Sequence, residues 1–337
     1  RCASIDASGH ISFEPGKEHG LDLSQPSFPM KGQTMLPPDD FDPPVGTAIT
    51  LEPGLRRIVA DNPSPMTYRG TNTYLLGTTD IAVIDPGPAS DAHLNAILKA
   101  IRPTQHISHI IVTHTHLDHS PLARQLSTVT GAPVFGFGNA TAGRSSVMKQ
   151  LTLDAELGGG EGIDTSFCPD RDLSDGDTVS GDTWQLDVLH TPGHIGNHIC
   201  LGWGDACFTA DHVMGWASSL VSPPDGDLTD FMRSCVRLQA QDWRIFYPGH
   251  GGPVNAPTAR LEWLVCHRKT REAEILAVLD AGPATAREIA QKIYTDTPAA
   301  LLGAATRNVL AHLIDLTGKS IVVPLDDLSQ STRFSLK

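Results

Sequence analysis

After about residue 55, short apolar runs alternate with stretches in which apolar residues recur at helical spacing. Runs of this kind predict buried strands, and three occur early, at 57–60, 73–76 and 81–84. A helix capped at Ser90 or Asp91 should follow, because four apolar residues recur on one helical face. These residues are Leu94, Ile97, Leu98 and Ile101. Strands and helices continue to alternate, which predicts an α/β domain of two sheets flanked by helices.

The two ends of the chain differ from this central region. Residues 1–48 are rich in Pro, Gly, Ser and Asp and lack a sustained apolar period, which predicts a flexible extension. A composition shift near His267 marks a second boundary. Beyond it, the pattern predicts helices over 272–279, 286–293 and 301–316 and a strand at 321–323. We therefore expect a main domain over 49–267 and a small domain over 268–337.

Composition limits the class of protein. A length of 337 residues suffices for one large and one small domain. The six cysteines are scattered without a Cys-x-x-Cys pair, which favours reduced thiols in a cytoplasmic protein over a disulfide framework. No apolar run reaches the roughly 18 residues of a membrane span. The net charge of −13 argues against a broad electrostatic grip on nucleic acid.

The candidate chemistry is concentrated in one loop, which reads THTHLDHS over 113–120. Three imidazoles this close would repel one another if protonated, whereas neutral imidazole is a common metal ligand. The apolar run 110–112 predicts a buried strand, and loops at the carboxyl ends of strands carry the chemistry of open α/β sheets. In an extended loop His114 and His116 point the same way and can share one metal. Asp118 and His119, at the start of the next helix, can then reach a second.

Three later segments offer further ligands, each at the end of a strand-like run. These are His194 in HTPGH, Asp211 in CFTAD and His250 in IFYPGH. Gly193 and Gly249 let the backbone turn sharply just before two of them. A two-metal site is therefore the expectation. The stretch 139–171, with a pliable run of glycines at 158–160, is expected to form a helical insert over the mouth of that site.

These segments, in this order, resemble the metallo-beta-lactamase superfamily, whose hallmark is a His-x-His-x-Asp-His loop followed by later His, Asp and His ligands. The resemblance covers about residues 55–265 and implies an αββα sandwich. It also implies that His114, His116 and His194 hold one metal, that Asp118, His119 and His250 hold the other, and that Asp211 bridges them. Asp85, in IAVIDPG, matches the family's earlier acidic motif and would support the histidine loop without itself coordinating.

The segments 62–65, 70–74, 222–227 and 290–313 resemble a beta-lactamase-like subgroup with a carboxyl-terminal winged helix, which includes a mitochondrial endoribonuclease. By this resemblance Thr71 and Asn72 lie on a glycine-led loop near the mouth and would orient substrate. We expect the winged helix to pack on the catalytic domain and to shape its cleft or a homodimer contact. Nine Lys or Arg against eight Asp or Glu over 268–337 leave a net charge of only +1, less basic than a dedicated nucleic-acid surface.

The remaining histidines divide into two kinds. His106, His109, His190 and His198 flank predicted strands or ligands, and we interpret them as structural histidines. His212 directly follows Asp211. It could contact substrate or donate a proton to a leaving group, and the sequence does not decide between that role and a structural one.

The expected function is therefore that of a dinuclear-metal hydrolase, in which a metal-bridging hydroxide attacks the carbonyl of an ester, thioester, lactone or lactam. Asp118 and His212 are the candidate catalytic residues beyond metal binding. Two zinc ions suit the nitrogen-rich ligand set, although manganese or iron would also be accepted. The substrate is expected to be a small molecule. Two alternatives stay open: a metal-dependent endoribonuclease on single-stranded RNA, and a non-enzymatic metal-bearing scaffold.

Overall fold

The computed structural model describes residues 4–5, 11–12, 41–152, 159–295, 301–329 and 331–337. The chain divides into two units, Arg1–Leu36 and Pro37–Lys337. In the first unit, strand β1 (Ser4–Ile5) pairs with β2 (Ile11–Ser12) in antiparallel register. The flexible extension predicted over residues 1–48 lies mostly outside the described residues.

A seven-stranded mixed sheet opens the second unit. Its strands, in sheet order, are β3 (Ile49–Glu52), β4 (Leu55–Val59), β5 (Asn72–Leu76), β6 (Asp80–Ile84), β7 (His106–Ile111), β8 (Val134–Gly136) and β9 (Arg171–Asp172). The strands β3 to β6 are antiparallel, and β6 to β9 are parallel. The carboxyl ends of β6 and β7 therefore lie at the same edge of the sheet, where the histidine loop begins.

A five-stranded sheet packs against the first. Its strands, in sheet order, are β10 (Thr178–Ser180), β11 (Gln185–His190), β12 (Ile199–Trp203), β13 (Ala206–Ala210) and β14 (Ile245–Pro248). One apolar cluster joins the facing sides of the two sheets, with Leu76 and Ile84 on one side and Leu201 and Phe208 on the other. The two sheets thus share one core.

Helices cover the outer face of each sheet. The helices before the carboxyl-terminal module are α1 (Asp91–Ala100), α2 (Leu122–Thr130), α3 (Ser146–Leu151), α4 (Leu228–Gln239) and α5 (Pro257–Asp280). The apolar faces of α1 and α2 pack on the first sheet, and those of α4 and α5 on the second. The layers follow the order α, β, β, α, as predicted.

A small module completes the chain. Helices α6 (Ala286–Ile293) and α7 (Leu302–Gly318) pack with a sheet of β15 (Ala284–Thr285), β17 (Arg333–Leu336) and β16 (Val322–Pro324). The Thr285 side chain caps α6 together with Glu288 in a reciprocal capping box. With the second half of α5, the module has three helices and a strand pair, which is the winged-helix arrangement expected from the sequence.

The predicted boundary at His267 differs from the structure. Residues 257–280 form one continuous helix, α5, which begins with Pro257 and ends before the Ala281-Gly282-Pro283 turn. No glycine or proline interrupts it between these points, so the composition shift has no counterpart in the backbone. The first half of α5 packs on the second sheet, and the second half belongs to the core of the winged helix.

Two further predictions need correction in part. Residues 41–48 contact the main domain: the Phe41 ring lies under the Arg57 guanidinium, and the Gly46 amide donates to the Val59 carbonyl oxygen. This end of the predicted extension is therefore ordered against β4. The predicted helical insert contains only the short helix α3 among its described residues, and 153–158 lie outside them.

Within the part of the chain that the structure describes, no helix has the length and apolar character that a membrane crossing requires. The five described cysteines are free thiols, in agreement with the predicted lack of a disulfide framework.

A buried histidine behind the first sheet should make the protein sensitive to acid. Burial lowers the pKa of His93 to about 4, and its Nε2 donates to the Thr73 hydroxyl at 2.8 Å. An unfolded chain would bind this proton near pH 6.5. The unfolded state then binds more protons than the native state between about pH 6.5 and 4, so stability falls as the pH drops through that window. Replacing His93 with glutamine should lessen this loss by about 2 kcal/mol at pH 4.5.

Chemical unfolding of the metal-free protein at pH 7.5 and pH 4.5 measures this difference. His106→Gln is the matched control, because that side chain is 65% exposed. An equal pH dependence in the wild type and the His93 variant would contradict the prediction.

Candidate metal centre

The predicted ligands converge at one edge of the two sheets. Asp85 follows β6, the histidine loop follows β7, Asp211 follows β13 and His250 follows β14. Asp85 and Ala210 hold positive φ angles of 51° and 42°, a conformation that costs a non-glycine residue free energy. Such backbone strain beside buried carboxylates is typical of functional sites, where the surrounding fold enforces it.

One group of side chains brings together His114, His116, His194 and Asp211. His194 Nε2 lies 2.9 Å from His116 Nδ1 and 3.6 Å from Asp211 Oδ2, and His114 Nε2 lies 3.9 Å from the same oxygen. His194 Nδ1 donates to the Leu220 carbonyl oxygen at 2.7 Å. This hydrogen bond leaves the lone pair of His194 on Nε2, which faces the other three residues.

A second group brings together Asp118, His119 and His250. Asp118 Oδ2 lies 3.1 Å from His250 Nε2 and 3.4 Å from His119 Nε2, and the two Nε2 atoms are 3.3 Å apart. Asp211 reaches this group as well, because its Oδ1 is 3.5 Å from His119 Nε2 and its Oδ2 is 3.4 Å from His250 Nε2. The Asp211 carboxylate therefore contacts both groups.

Asp85 lies behind the candidate ligands and fixes the orientation of two of them. It accepts hydrogen bonds from the Thr113 amide (2.8 Å), the Thr113 hydroxyl (2.7 Å) and His119 Nδ1 (2.9 Å). The Thr113 hydroxyl oxygen in turn lies 3.0 Å from His114 Nδ1 and accepts its proton. Asp85 could also share a metal with His114 and His119 by position alone. With three hydrogen bonds already accepted, its carboxylate is better suited to orient these rings so that both Nε2 atoms face the centre.

The electrostatics of the cluster call for a cation. Burial opposes the charged form of His250, yet Asp211 and Asp118 outweigh it and raise the pKa of His250 to about 10. Burial and the neighbouring His194 lower the pKa of His116 to about 3. The carboxylates thus hold positive charge at one end of the cluster, whereas the imidazoles at the other end stay neutral. Neutral imidazoles and charged carboxylates are the forms that bind metals.

The donor set fits divalent metal ions. His119 and His250 each donate through Nδ1, to Asp85 and to the Gly70 carbonyl oxygen, so in their neutral forms their Nε2 lone pairs would face each other across 3.3 Å. Without a metal, the raised pKa of His250 places a proton at this position. Two buried lone pairs at that distance repel each other unless a cation lies between them. His114 Nε2 is likewise buried without a hydrogen-bond partner. Donors about 2.0–2.2 Å from a tetrahedral metal lie about 3.3–3.6 Å apart, close to the separations seen here.

The two residues predicted to orient substrate are placed differently. Asn72 is fully buried and donates to the carbonyl oxygens of Pro248 and Gly251, at 2.9 Å each. It therefore fixes the turn that carries His250, and the prediction that it contacts substrate is wrong in this structure. Thr71 is also fully buried, and its hydroxyl lies 3.4 Å from Asp118 Oδ2. It supports Asp118 from behind.

His212 lies in the core and not in the metal cluster. It is fully buried, its ring packs on Phe231 at a centroid distance of 4.5 Å, and its Nε2 lies 3.6 Å from the Cys235 sulfur. The prediction that it meets substrate or a leaving group is therefore wrong. Asp211 and His212 follow one another in the chain, so their side chains point to opposite sides, one to the site and one to α4.

The four histidines interpreted as structural each have a partner. His190 stacks on Phe137 and bonds the Gly196 carbonyl oxygen, His109 bonds Ser108, and His106 contacts Asp80 at the surface. His198 is buried, and the centroid of its ring lies 5.2 Å from that of His114. Its Nδ1 lies 3.0 Å from the Thr191 hydroxyl oxygen. The His198 ring packs directly behind a candidate ligand, His114.

A cleft of about 280 Å³ opens beside His116 and His194. Three segments line it: the loop with Glu161, the loop with Ser222 and Asp225, and the first turns of α7 with Arg307. The winged helix thus shapes the cleft, as expected from the sequence. In the sequence, 222–227 and 290–313 stand out as motifs without a role in the cleft, and 139–171 was expected over the mouth without Glu161 being singled out. The packing of α7 against the catalytic domain brings Arg307 here.

The sandwich, the two donor groups and the cleft define a class of protein. Residues 66–250 match the family model described as "Metallo-beta-lactamase superfamily", and residues 285–329 match "Beta-lactamase associated winged helix domain". The chain belongs to the metallo-beta-lactamase superfamily, in the subgroup with this winged helix, and is a metal-dependent hydrolase.

The chain is also similar to individual proteins of this superfamily and its subgroup. It is 30% identical over 278 residues to "Beta-lactamase-like protein 2 homolog" of Caenorhabditis elegans, which covers 81% of this chain and 87% of that protein. It is 29% identical over 269 residues to "Atrochrysone carboxyl ACP thioesterase" of Aspergillus fumigatus, covering 74% and 76%. A solved metallo-beta-lactamase family protein of Thermus thermophilus has a TM-score of 0.69 at 25% identity, covering 86% and 100%.

Proposed function

We propose that this chain is a two-metal hydrolase that cleaves acyl thioesters, with zinc as its metal. The observation that carries the proposal is the Asp211 carboxylate, which contacts both donor groups and makes one dinuclear site of them. His114, His116 and His194 would hold one ion, and Asp118, His119 and His250 the other. The ligand set of five imidazoles and two carboxylates suits zinc.

Two divalent cations would supply a water acidified to near neutral pH and a Lewis acid for the carbonyl oxygen. In the hydrolysis, the carbonyl carbon gains an oxygen from water and loses its bond to sulfur, and the sulfur leaves as a thiolate that later takes a proton. Asp118 is suited to receive the proton of the water, because its side chain is 24% exposed against 10% for Asp211. The Thr71 hydroxyl holds the Asp118 carboxylate in position.

Two observations favour a thioester over the other acyl substrates. The Aspergillus fumigatus relative is named as a carrier-protein thioesterase. In addition, His212 lies in the core and supplies no proton to a leaving group. A thiol with a pKa of about 8.5 leaves as the thiolate without such help, whereas an alcohol needs a proton much more. Loss of the candidate acid therefore matters least for a thioester.

A substrate panel tests the proposal. The zinc-loaded full chain is assayed on an acyl thioester, a lactone, a beta-lactam and single-stranded RNA, with Asp118→Ala as the blank. We expect the thioester to be cleaved at least about tenfold faster than the other acyl substrates, in line with the leaving-group argument. Cleavage of RNA alone, lost in the blank, would overturn the proposal in favour of the ribonuclease alternative. No turnover of any substrate despite two bound zinc ions would also overturn it.

A further inference from the structure

The cleft beside the metal cluster carries a positive charge that the hydrolytic chemistry does not use. Among the described residues that line the cleft, Arg307 alone has a permanent positive charge. It lies on α7, in the winged helix, whereas His116 and His194 line the same space from the catalytic domain. The cleft has a volume of only about 280 Å³, so a group bound at Arg307 would sit close to the reacting carbonyl.

The partners of Arg307 leave it able to bind a ligand. Its Nη2 lies 3.0 Å from Glu161 Oε1, but the Glu161 side chain is 77% exposed. An ion pair with so exposed a partner adds little stability and can exchange for a ligand. Its Nη1 donates to the Ser222 hydroxyl over a long 3.4 Å. The Arg307 side chain is itself only 25% exposed, so an anion that reaches it from the cleft gains a partly desolvated partner.

The other acidic residue of the cleft does not cancel this charge. Asp225 forms an ion pair with Arg144 and accepts a hydrogen bond from the Gly160 amide at 2.6 Å. Both Asp225 and Arg144 are only 12% exposed, so this pair is a fixed, compensated unit of the wall. A substrate anion at Arg307 therefore meets one exchangeable competitor, Glu161.

We infer that Arg307 forms an anion subsite, which binds a carboxylate carried on the acyl part of the substrate, a few bonds from the scissile carbonyl. The inference rests on the proposed function. A planar guanidinium pairs with a carboxylate through two parallel hydrogen bonds. The small shared cleft favours an anion on the acyl side over a phosphate at the far end of a long thiol arm. The winged helix thereby selects the substrate.

Two matched thioesters test the subsite. One is the N-acetylcysteamine thioester of glutaric acid, with a free carboxylate, and the other is the thioester of its monomethyl ester. Arg307→Gln should raise KM for the acid about 10- to 100-fold, the effect of losing a charge-assisted hydrogen bond, and leave KM for the ester and both kcat values unchanged. In Arg307→Lys, KM for the acid should lie between those of the wild type and Arg307→Gln, because lysine keeps the positive charge but cannot form two parallel hydrogen bonds.

Glu161→Gln provides a second, opposite signal. Removing the competing carboxylate should lower KM for the acid and leave the ester unaffected. Arg287→Gln is the control, because Arg287 is exposed on α6 in the same module and is not among the residues lining the cleft. Circular dichroism and zinc content establish that each variant is folded and loaded.

The possible outcomes distinguish failure of the anion subsite from failure of the proposed hydrolytic activity. Equal changes in KM for acid and ester in Arg307→Gln, or no change in either, would overturn the subsite. A third substrate, butyryl phosphopantetheine, carries its phosphate on the thiol side, and a response confined to it would overturn the acyl-side assignment. If no thioester is cleaved, calorimetric titration with the thioether analogue of the glutaryl substrate still measures the affinity of the subsite for the carboxylate. Equal affinity of the wild type and Arg307→Gln for that analogue would overturn it.

Discussion

Replacing Asp211 with asparagine should lower kcat/KM by at least about 10³-fold, since removing one ligand group of the proposed dinuclear site would forfeit several kcal/mol of transition-state stabilisation. Asparagine has nearly the same shape but lacks the negative charge that both donor groups share. The Nε2 atoms of His119, His194 and His250 lie 3.4–3.6 Å from the Asp211 carboxylate oxygens. An amide NH₂ group in place of one oxygen would point hydrogens at these nitrogens. The variant should bind fewer zinc ions than the wild type. Zinc content after gel filtration and steady-state kinetics measure both effects.

The same variant has a signature that does not need the metal. In the metal-free wild type, Asp211 is the main group that raises the pKa of His250 to about 10. In Asp211→Asn this pKa should fall, which a titration of the His250 ring by NMR detects. Asp205→Asn is the control, because that carboxylate is 61% exposed and pairs with Arg244 at the surface. Full activity and an unshifted His250 in Asp211→Asn would exclude Asp211 as the shared ligand.

The positions of the candidate ligands could be predicted from the sequence because most of them follow an apolar run. A strand that ends at the edge of the sheet that carries the site places the next few residues at that edge. The spacing of these residues indicates on which side their side chains lie. This applies to the histidine loop after β7, to Asp211 after β13 and to His250 after β14. The sandwich was predictable for a similar reason, since runs of buried strand and helix residues fix which faces are covered.

What failed depended on contacts between distant parts of the chain. His212 follows the candidate ligand Asp211, and Asn72 lies on a glycine-led loop that was expected near the mouth. Nothing local in the sequence tells a buried hydrogen-bonding role from a catalytic one. Their burial follows from the packing of His250's turn on β5 and of α4 on the second sheet. Arg307 lies 191 positions after His116. Only the docking of α7 brings it to the cleft, and no periodicity encodes that approach.

Replacing Asp85 with asparagine should weaken zinc binding and activity at limiting zinc about 100-fold, the upper range for loss of a partner that orients metal ligands. Asp85 Oδ2 accepts from both the Thr113 hydroxyl and His119 Nδ1. An amide group in its place sets a hydrogen-bond donor against one of these donors, or leaves the Thr113 amide facing an NH₂ group. The His119 ring, and through Thr113 the His114 ring, then loses the partner that keeps its Nε2 lone pair toward the metal. Saturating zinc should restore most of the activity, because no ligand is removed.

That recovery distinguishes an orienting residue from a ligand. Competition with a zinc chelator of known affinity, followed by activity at rising zinc, gives the shift in both quantities. Asp80→Asn is the matched control, since Asp80 lies on the same strand but contacts only the exposed His106 ring among the described ion pairs. If Asp85→Asn lost activity that no zinc concentration restored, Asp85 would have to coordinate directly, as its distance from His114 and His119 allows. If it bound zinc as tightly as the wild type, the hydrogen bonds from Thr113 and His119 would not set the orientation of the rings.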